Sequence, residues 1–176
     1  MTAWLLLSLA FFASPPKGIV RERPVPGRPA RGPEQPVQLV NVHTREVLVL
    51  PSPRDVPVPG DVLSRFLRCH FTGRERVMDP RILVLFGEIA NRFGIREIQI
   101  YSAYRSPRYN MLLRKRLGEV SPNSYHTKGQ AADIVVPGVD LAQLAAFLRK
   151  LRRGGVGYYS GSEFVHMDTG PVRFWE

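Results

Sequence analysis

Cysteine is nearly missing from this sequence. Cys69 stands alone among 176 residues, which excludes an internal disulfide and a cysteine-rich zinc site. Lysine is almost as scarce: it supplies four of the 25 cations, so arginine carries the positive charge. Acidic residues fall short of basic ones, 15 against 25, and the net charge is +10. No apolar run approaches the about 20 residues that a membrane-spanning helix requires, and there is no internal repeat. What is present suffices for one folded unit. A chain of 176 residues that is 44% hydrophobic fits a single domain of ordinary size, and it excludes a globally disordered or collagen-like protein.

The charge is spread along the chain. Residues 1–36 hold five cations and two acids (+3), and the remainder holds twenty and thirteen (+7). Basicity therefore belongs to the folded body as well as to the tail. Such a body dwells near polyanions: nucleic acid, an anionic membrane surface or an anionic cell wall. Charge alone does not choose among them.

Residues 1–13 are an uncharged apolar run of the length found in the core of a secretory signal. No basic residue precedes it, and Phe11 stands where a small residue is usual before cleavage after Ala13. The expectation is a signal peptide or short N-terminal anchor, hence export to the periplasm or cell envelope. Residues 14–36 contain seven prolines and three glycines interleaved with arginine. Proline removes backbone donors and no apolar period is present, so this reads as a semi-extended linker. Folded sequence is expected over 37–176.

Within that span the local signals are crisp. Residues 37–42 and 46–50 are β-prone runs around His43-Thr44-Arg45, a hairpin. The Pro-rich stretch 51–60 reads as loop, after which Asp61 is expected to cap a helix running to Phe71. Asp79-Pro80 starts a stronger helix, with Ile82, Leu85, Phe86, Ile89 and Phe93 on one face and Gly94 closing it. Ser106-Pro107 repeats that start for a helix ending at Gly118, and 140–151 is an Ala/Leu-rich helix. Strands are expected at 97–101, 131–136, 155–159, 163–168 and 172–175. Helices and strands mix without βαβ alternation, and the last strands follow one another closely. That pattern predicts an α+β fold with a mostly antiparallel sheet and flanking helices.

Polar residues interrupt the strands or their ends in three segments: Tyr101 through Asn110, Ser124 through Ile134, and Gly154 through Gly170. A catalytic zinc takes about three protein donors and keeps one position open. His126 and Asp133 are seven residues apart, with Gly129 permitting a tight turn between them. Asp133 lies in an apolar strand, where a carboxylate is costly unless paired or metal-bound. His166, in the next strongly apolar strand, can supply a third donor. Glu163 stands three residues before it, so a bend near Ser162 is needed to bring both to one site. His43 and His70 read as structural or exposed residues rather than ligands. Cys69 reads as a buried small hydrophobe, and Tyr158-Tyr159 as strand packing.

The ordered pattern S-x-H-x-x-G-x-A-x-D followed by E-x-x-H resembles the zinc peptidases that include D-Ala-D-Ala carboxypeptidases and share their fold with the hedgehog signalling domain. The resemblance is closest to the YcbK-like murein endopeptidase branch and runs from Val37 to Trp175. It is carried by His43-Thr44-Arg45-Glu46, Phe66-Leu67-Arg68, Asp79-Pro80-Arg81, Tyr104-Arg105-Ser106, Ser124 through Asp133, Gly154 through Tyr159, and Phe164 through Gly170. It implies a hedgehog/DD-peptidase-like fold with one Zn2+ held by His126, Asp133 and His166, in a metallopeptidase that cleaves the peptide cross-links of peptidoglycan. On that reading Glu163 is the general base, and Arg105 holds the substrate carbonyl or a substrate carboxylate. Ser124 and Asp168 orient imidazoles or substrate. Glu163 fits the carboxypeptidase form E-x-x-H, which keeps D-Ala-D-Ala carboxypeptidase as one alternative. A non-catalytic, zinc-containing wall-binding module is another. Export and the lack of a recognised nucleic-acid module argue against a nucleic-acid partner. The expected partners are peptidoglycan peptides and the anionic wall surface, met by a monomer.

Overall fold

The computed structural model of the chain describes residues 35–51, 58–118 and 120–176. The expected signal or anchor at 1–13 and all but the last two residues of the expected linker lie outside the described residues. Thirteen segments follow in order: β1 (Val37–Asn41), β2 (Val47–Leu50), α1 (Gly60–Phe66), α2 (Arg81–Phe93), β3 (Glu97–Ser102), α3 (Pro107–Leu117), a 3₁₀ turn (Tyr125–Lys128), β4 (Ala131–Val135), α4 (Leu141–Leu151), β5 (Gly155–Tyr159), a second 3₁₀ turn (Ser160–Ser162), β6 (Phe164–Asp168) and β7 (Arg173–Trp175). The seven strands form one mixed sheet in the order β2-β1-β3-β4-β6-β5-β7. Two neighbouring pairs, β1 with β3 and β5 with β7, are parallel, and the other four are antiparallel.

Helix boundaries follow local chemistry. Ser106 caps α3 by accepting from the Tyr109 amide at 3.3 Å, with Pro107 at the first helical position. Asp140 caps α4 through the Gln143 amide at 2.9 Å. Asp79 accepts from the Arg81 amide at 3.0 Å, and Gly94 closes α2 in the left-handed conformation at φ 61°. The first helix departs from expectation. It ends at Phe66, and Asp61 lies in its first turn without capping it. The chain leaves the helix because Leu67 gives its carbonyl to the Tyr104 amide, while Cys69 closes a turn with Arg74 and Gly73. These tertiary bonds outweigh the helical pattern. Cys69 is fully buried, beyond the helix end.

The sheet is two-faced, as the period of two requires. Ile98, Ile100, Ala132, Ile134, Val165, Met167 and Val156 face one core with Ile82, Phe86 and Ile89 of α2, Leu144 and Leu148 of α4, and Leu63 of α1. Each such fully buried side chain contributes about 1.5–3 kcal/mol. The alternate residues Asp133, His166 and Asp168 therefore point to the other face, and they too are buried. A bulge adjusts β3 to the same end. Ile100 pairs with Ile134, but Ser102, not Tyr101, pairs with Asp133. The extra residue, Tyr101, drops out of register, and Ser102 joins Asp133 opposite the core.

Candidate metal centre and cleft

Asp133 on β4 and His166 on β6 are directly opposed across an antiparallel pair. His126 arrives from the 3₁₀ turn, which Gly129 ends at φ 73°. A Cβ on Gly129 would lie 2.5 Å from the Val77 carbonyl oxygen, so both conformation and space require glycine there. His126 Nε2 stands 3.1 Å from Asp133 Oδ1 and 3.0 Å from His166 Nδ1, and that Nδ1 is 2.9 Å from Asp133 Oδ1. Two donors bound to one zinc at tetrahedral geometry lie about 3.3 Å apart. The trio has nearly that spacing.

The far sides of the rings decide what the near sides offer. His126 Nδ1 is 2.6 Å from the Ala103 carbonyl, which only accepts, so Nδ1 carries the hydrogen and Nε2 the lone pair. His166 Nε2 is 3.0 Å from Asp168 Oδ2, leaving Nδ1 to face the trio. Three ligand atoms thus converge, and with an ion bound each imidazole would turn a lone pair to it. This is a cation site by the chemistry of its donors, and these are the residues that form a possible metal-binding group among those described. Burial, aided by Arg105, pushes the His126 imidazole down to about 4. Burial works to raise the Asp133 carboxyl, but His126 and Arg105 outweigh it and hold it well below the usual range. His166 is raised, because its bonds to Asp133 and Asp168 overcome the opposing effect of burial.

Arg105 bonds Asp133 Oδ2 directly, and its Nε donates to Ser102 Oγ at 2.9 Å. The guanidinium is thereby fixed at the floor of a cleft of about 930 Å³. Asp168 lies behind His166. Its Oδ2 accepts from His166 and, at 2.6 Å, from Arg173, while Oδ1 takes the Gly155 and Gly170 amides at 3.0 and 2.8 Å. Burial would raise this carboxyl, yet these donors hold it below the carboxylate range. Arg173 is in turn clasped between the rings of Tyr125 and Trp175 at 4.5 and 5.0 Å. The sequence reading missed Arg173; its one signal was a cation five residues after Asp168, at the next strand.

One site residue lies away from where it was expected. Glu163 does not join the trio. It is exposed at φ 56°, as the left-handed residue ending the Ser160–Ser162 turn, and it is not among the residues lining the cleft. The bend expected near Ser162 exists, and Glu163 itself ends it just before β6. Of the two roles expected for Ser124, holding the His126 ring falls instead to the Ala103 carbonyl, and a place beside substrate remains. The Ser124 carbonyl closes the turn to Thr127, and the residue lines the cleft. His43, His70, Tyr109, Tyr159 and Trp175 line it too. His43 and His70 are thus more than surface residues.

A mixed sheet bearing a buried His-Asp-His trio at the floor of an open cleft is a candidate site for a single metal ion. The chain belongs to the family Peptidase_M15_2, peptidoglycan L,D-endopeptidase MepK, whose profile matches residues 30–175. It is 40% identical over 116 residues to the probable peptidoglycan L,D-endopeptidase MepK of Haemophilus influenzae, covering 65% of this chain and 62% of that protein. It is also 40% identical over 114 residues to the peptidoglycan L,D-endopeptidase MepK of Escherichia coli K12, covering 64% and 63%. The match therefore spans less than two thirds of the length of these relatives.

Proposed function

We propose that this chain is a zinc-dependent murein endopeptidase that hydrolyses peptide cross-links of peptidoglycan, at the L,D bond for which its relatives are named. The observation that carries this reading is the convergence of three potential ligand atoms, His126 Nε2, Asp133 Oδ1 and His166 Nδ1, at the floor of a cleft in a chain of that family. Zinc, when bound by them, supplies Lewis acidity at neutral pH. The chain's own residues do the rest. Asp168 and Arg173 fix the His166 ring, and Ala103 fixes that of His126. Arg105, held by Asp133 and Ser102, offers its remaining N–H donors to a substrate carbonyl as it gains negative charge, or to a stem-peptide carboxylate. Ser124 adds a hydroxyl on the cleft wall. The aromatic rings of Tyr159 and Trp175 give the peptide an apolar flank.

The domain we assign to this activity is 37–176. We place it outside the cytoplasm, behind an N-terminal signal or anchor and a Pro-rich linker. Among the described residues no helix is long and apolar enough to cross a membrane. The partners on this reading are peptidoglycan peptides and the anionic wall, met by a monomer without nucleic acid. The test is digestion of purified cross-linked muropeptides by zinc-loaded protein, with products identified by mass. Separation of the cross-linked stems is expected. Release of terminal D-Ala alone would make the protein a carboxypeptidase, and intact substrate beside bound zinc would make it a binding module.

A further inference from the structure

Hydrolysis of a peptide bond must move a proton from water to the departing nitrogen. Among the described residues lining the cleft there is one carboxylate, Asp133, and it belongs to the trio. Asp168 is buried with both oxygens engaged, and Glu163 is outside. Two imidazoles beyond the trio line the cleft, His43 and His70. Their rings stack at 3.8 Å between centroids, 21° from parallel.

The two are not equivalent. His70 is half-buried, with Nε2 3.2 Å from the Tyr109 hydroxyl. Burial first, then His43 and Arg105, push it down to about 4, so it stays neutral near pH 7. His43 is exposed to the cleft. Its Nε2 lies 2.9 Å from the Tyr101 carbonyl oxygen. A carbonyl only accepts, so Nε2 carries the hydrogen and Nδ1 presents a lone pair. Tyr101 is the bulged residue of β3, and the next residue, Ser102, pairs with Asp133. The bulge thus releases a carbonyl to anchor the His43 ring one residue from the register of a trio ligand. The backbone of His43 is pinned as well, its amide donating to the buried Asn41 Oδ1 at 3.0 Å. The charged and titratable groups around the ring are His70 beneath it, Glu46 on its own turn paired with Arg68, Arg105 in the cleft, and Tyr109 beyond His70.

We infer that His43 is the proton-transfer residue of the cleft. This rests on the hydrolytic reading above. His43 Nδ1 takes a proton from water as the water oxygen bonds the carbonyl carbon, and it returns that proton to the nitrogen as the C–N bond breaks. The imidazole ends neutral, and no further reactant is needed. His70 is a positioning residue, a neutral plate that keeps the ring in place.

The test compares zinc-loaded full-length wild type with His43→Ala and His43→Gln on cross-linked muropeptides. Gln keeps a donor for Tyr101 but has no basic nitrogen, so it serves if Ala disturbs the turn. The expected result is unchanged zinc content, KM within a few-fold, and kcat lower by about 10²–10⁴. Added imidazole should restore part of the turnover of His43→Ala. Side-chain nitrogen NMR of the wild type should show His43 as the Nε2–H tautomer. Wild-type turnover in both variants overturns the inference while leaving the hydrolytic reading intact, as does an Nδ1–H tautomer or loss of turnover with loss of zinc and no imidazole rescue. A zinc-loaded wild type that cleaves nothing overturns both.

Discussion

Asp168 meets every donor around it with one carboxylate, and the consequence is measurable. It fixes which nitrogen of His166 is bare, so Asp168→Asn should weaken zinc binding by about 10–100-fold, read by competition with a chelator. Arg173 acts through Asp168. Arg173→Ala should weaken binding less, and Arg173→Lys should recover part of the loss, since the Tyr125 and Trp175 rings accept either cation. Close contact governs the neighbouring backbone. A Cβ at Gly154 would run into the Asp168 carbonyl group. Gly154→Ala should therefore cost on the order of 1–3 kcal/mol in a denaturant titration, from overpacking in a rigid sheet.

At the level of elements, the start of α2 is tied to the far end of the sheet through one side chain. Asp79 Oδ2 accepts from Arg81 at 2.6 Å and from the Thr169 hydroxyl at 2.8 Å. The Arg81 bond first, against the opposing effect of burial, holds its carboxyl down at about 2, below the unfolded 3.8. A depressed carboxyl stabilises the fold fully above its unfolded value and loses that contribution as pH falls through the folded one. The stability gap between wild type and Asp79→Asn should be about 1 kcal/mol at neutral pH, modest because Arg81 is exposed. It should close between about pH 4 and 2, as followed by urea midpoints. Cap chemistry made α3 and α4 legible in advance, because Ser106 and Asp140 act within a few residues of themselves. At α2 the N-cap position falls to Pro80, one residue later than expected, with Asp79 just outside the helix. The short α1 was not legible, since its end is set by a bond from Tyr104. Nor was the bulge at Tyr101, which depends on the partner strand. Strand alternation offered Asp133 and His166 as candidates, but the full ligand set with His126 on its turn came from the resemblance. The place of Glu163 was not legible because the hand of its turn is not written in a charge pattern.

For the molecule as a whole, the proposed wall contact rests on charge. The last turn of α3 carries Arg114, Lys115 and Arg116, and the body beyond residue 36 holds a net +7. Retention on isolated wall should fall as ionic strength rises and the screening length shortens from about 10 Å at 0.1 M to about 3 Å at 1 M. Salt-independent retention would point to uncharged contacts instead. Export behind the proposed N-terminal signal or anchor is a further expectation. Fractionation of cells should then find the protein in the envelope.

Because Asp133 and His166 are opposed rung to rung on β4 and β6, an ion between them would act as a rivet. The stretch between them, a sequence separation of 33 that includes α4 and β5, would become a closed loop, and a slip of one residue between the strands would turn one of the two away from its partner. Zinc would thus guard the alignment of the sheet as well as serve the reaction. Free zinc at a hundred times its dissociation constant should add about 2.7 kcal/mol to the folded state. A calorimetric scan with and without the ion should show that gain as a higher melting temperature, and His166→Ala should abolish it.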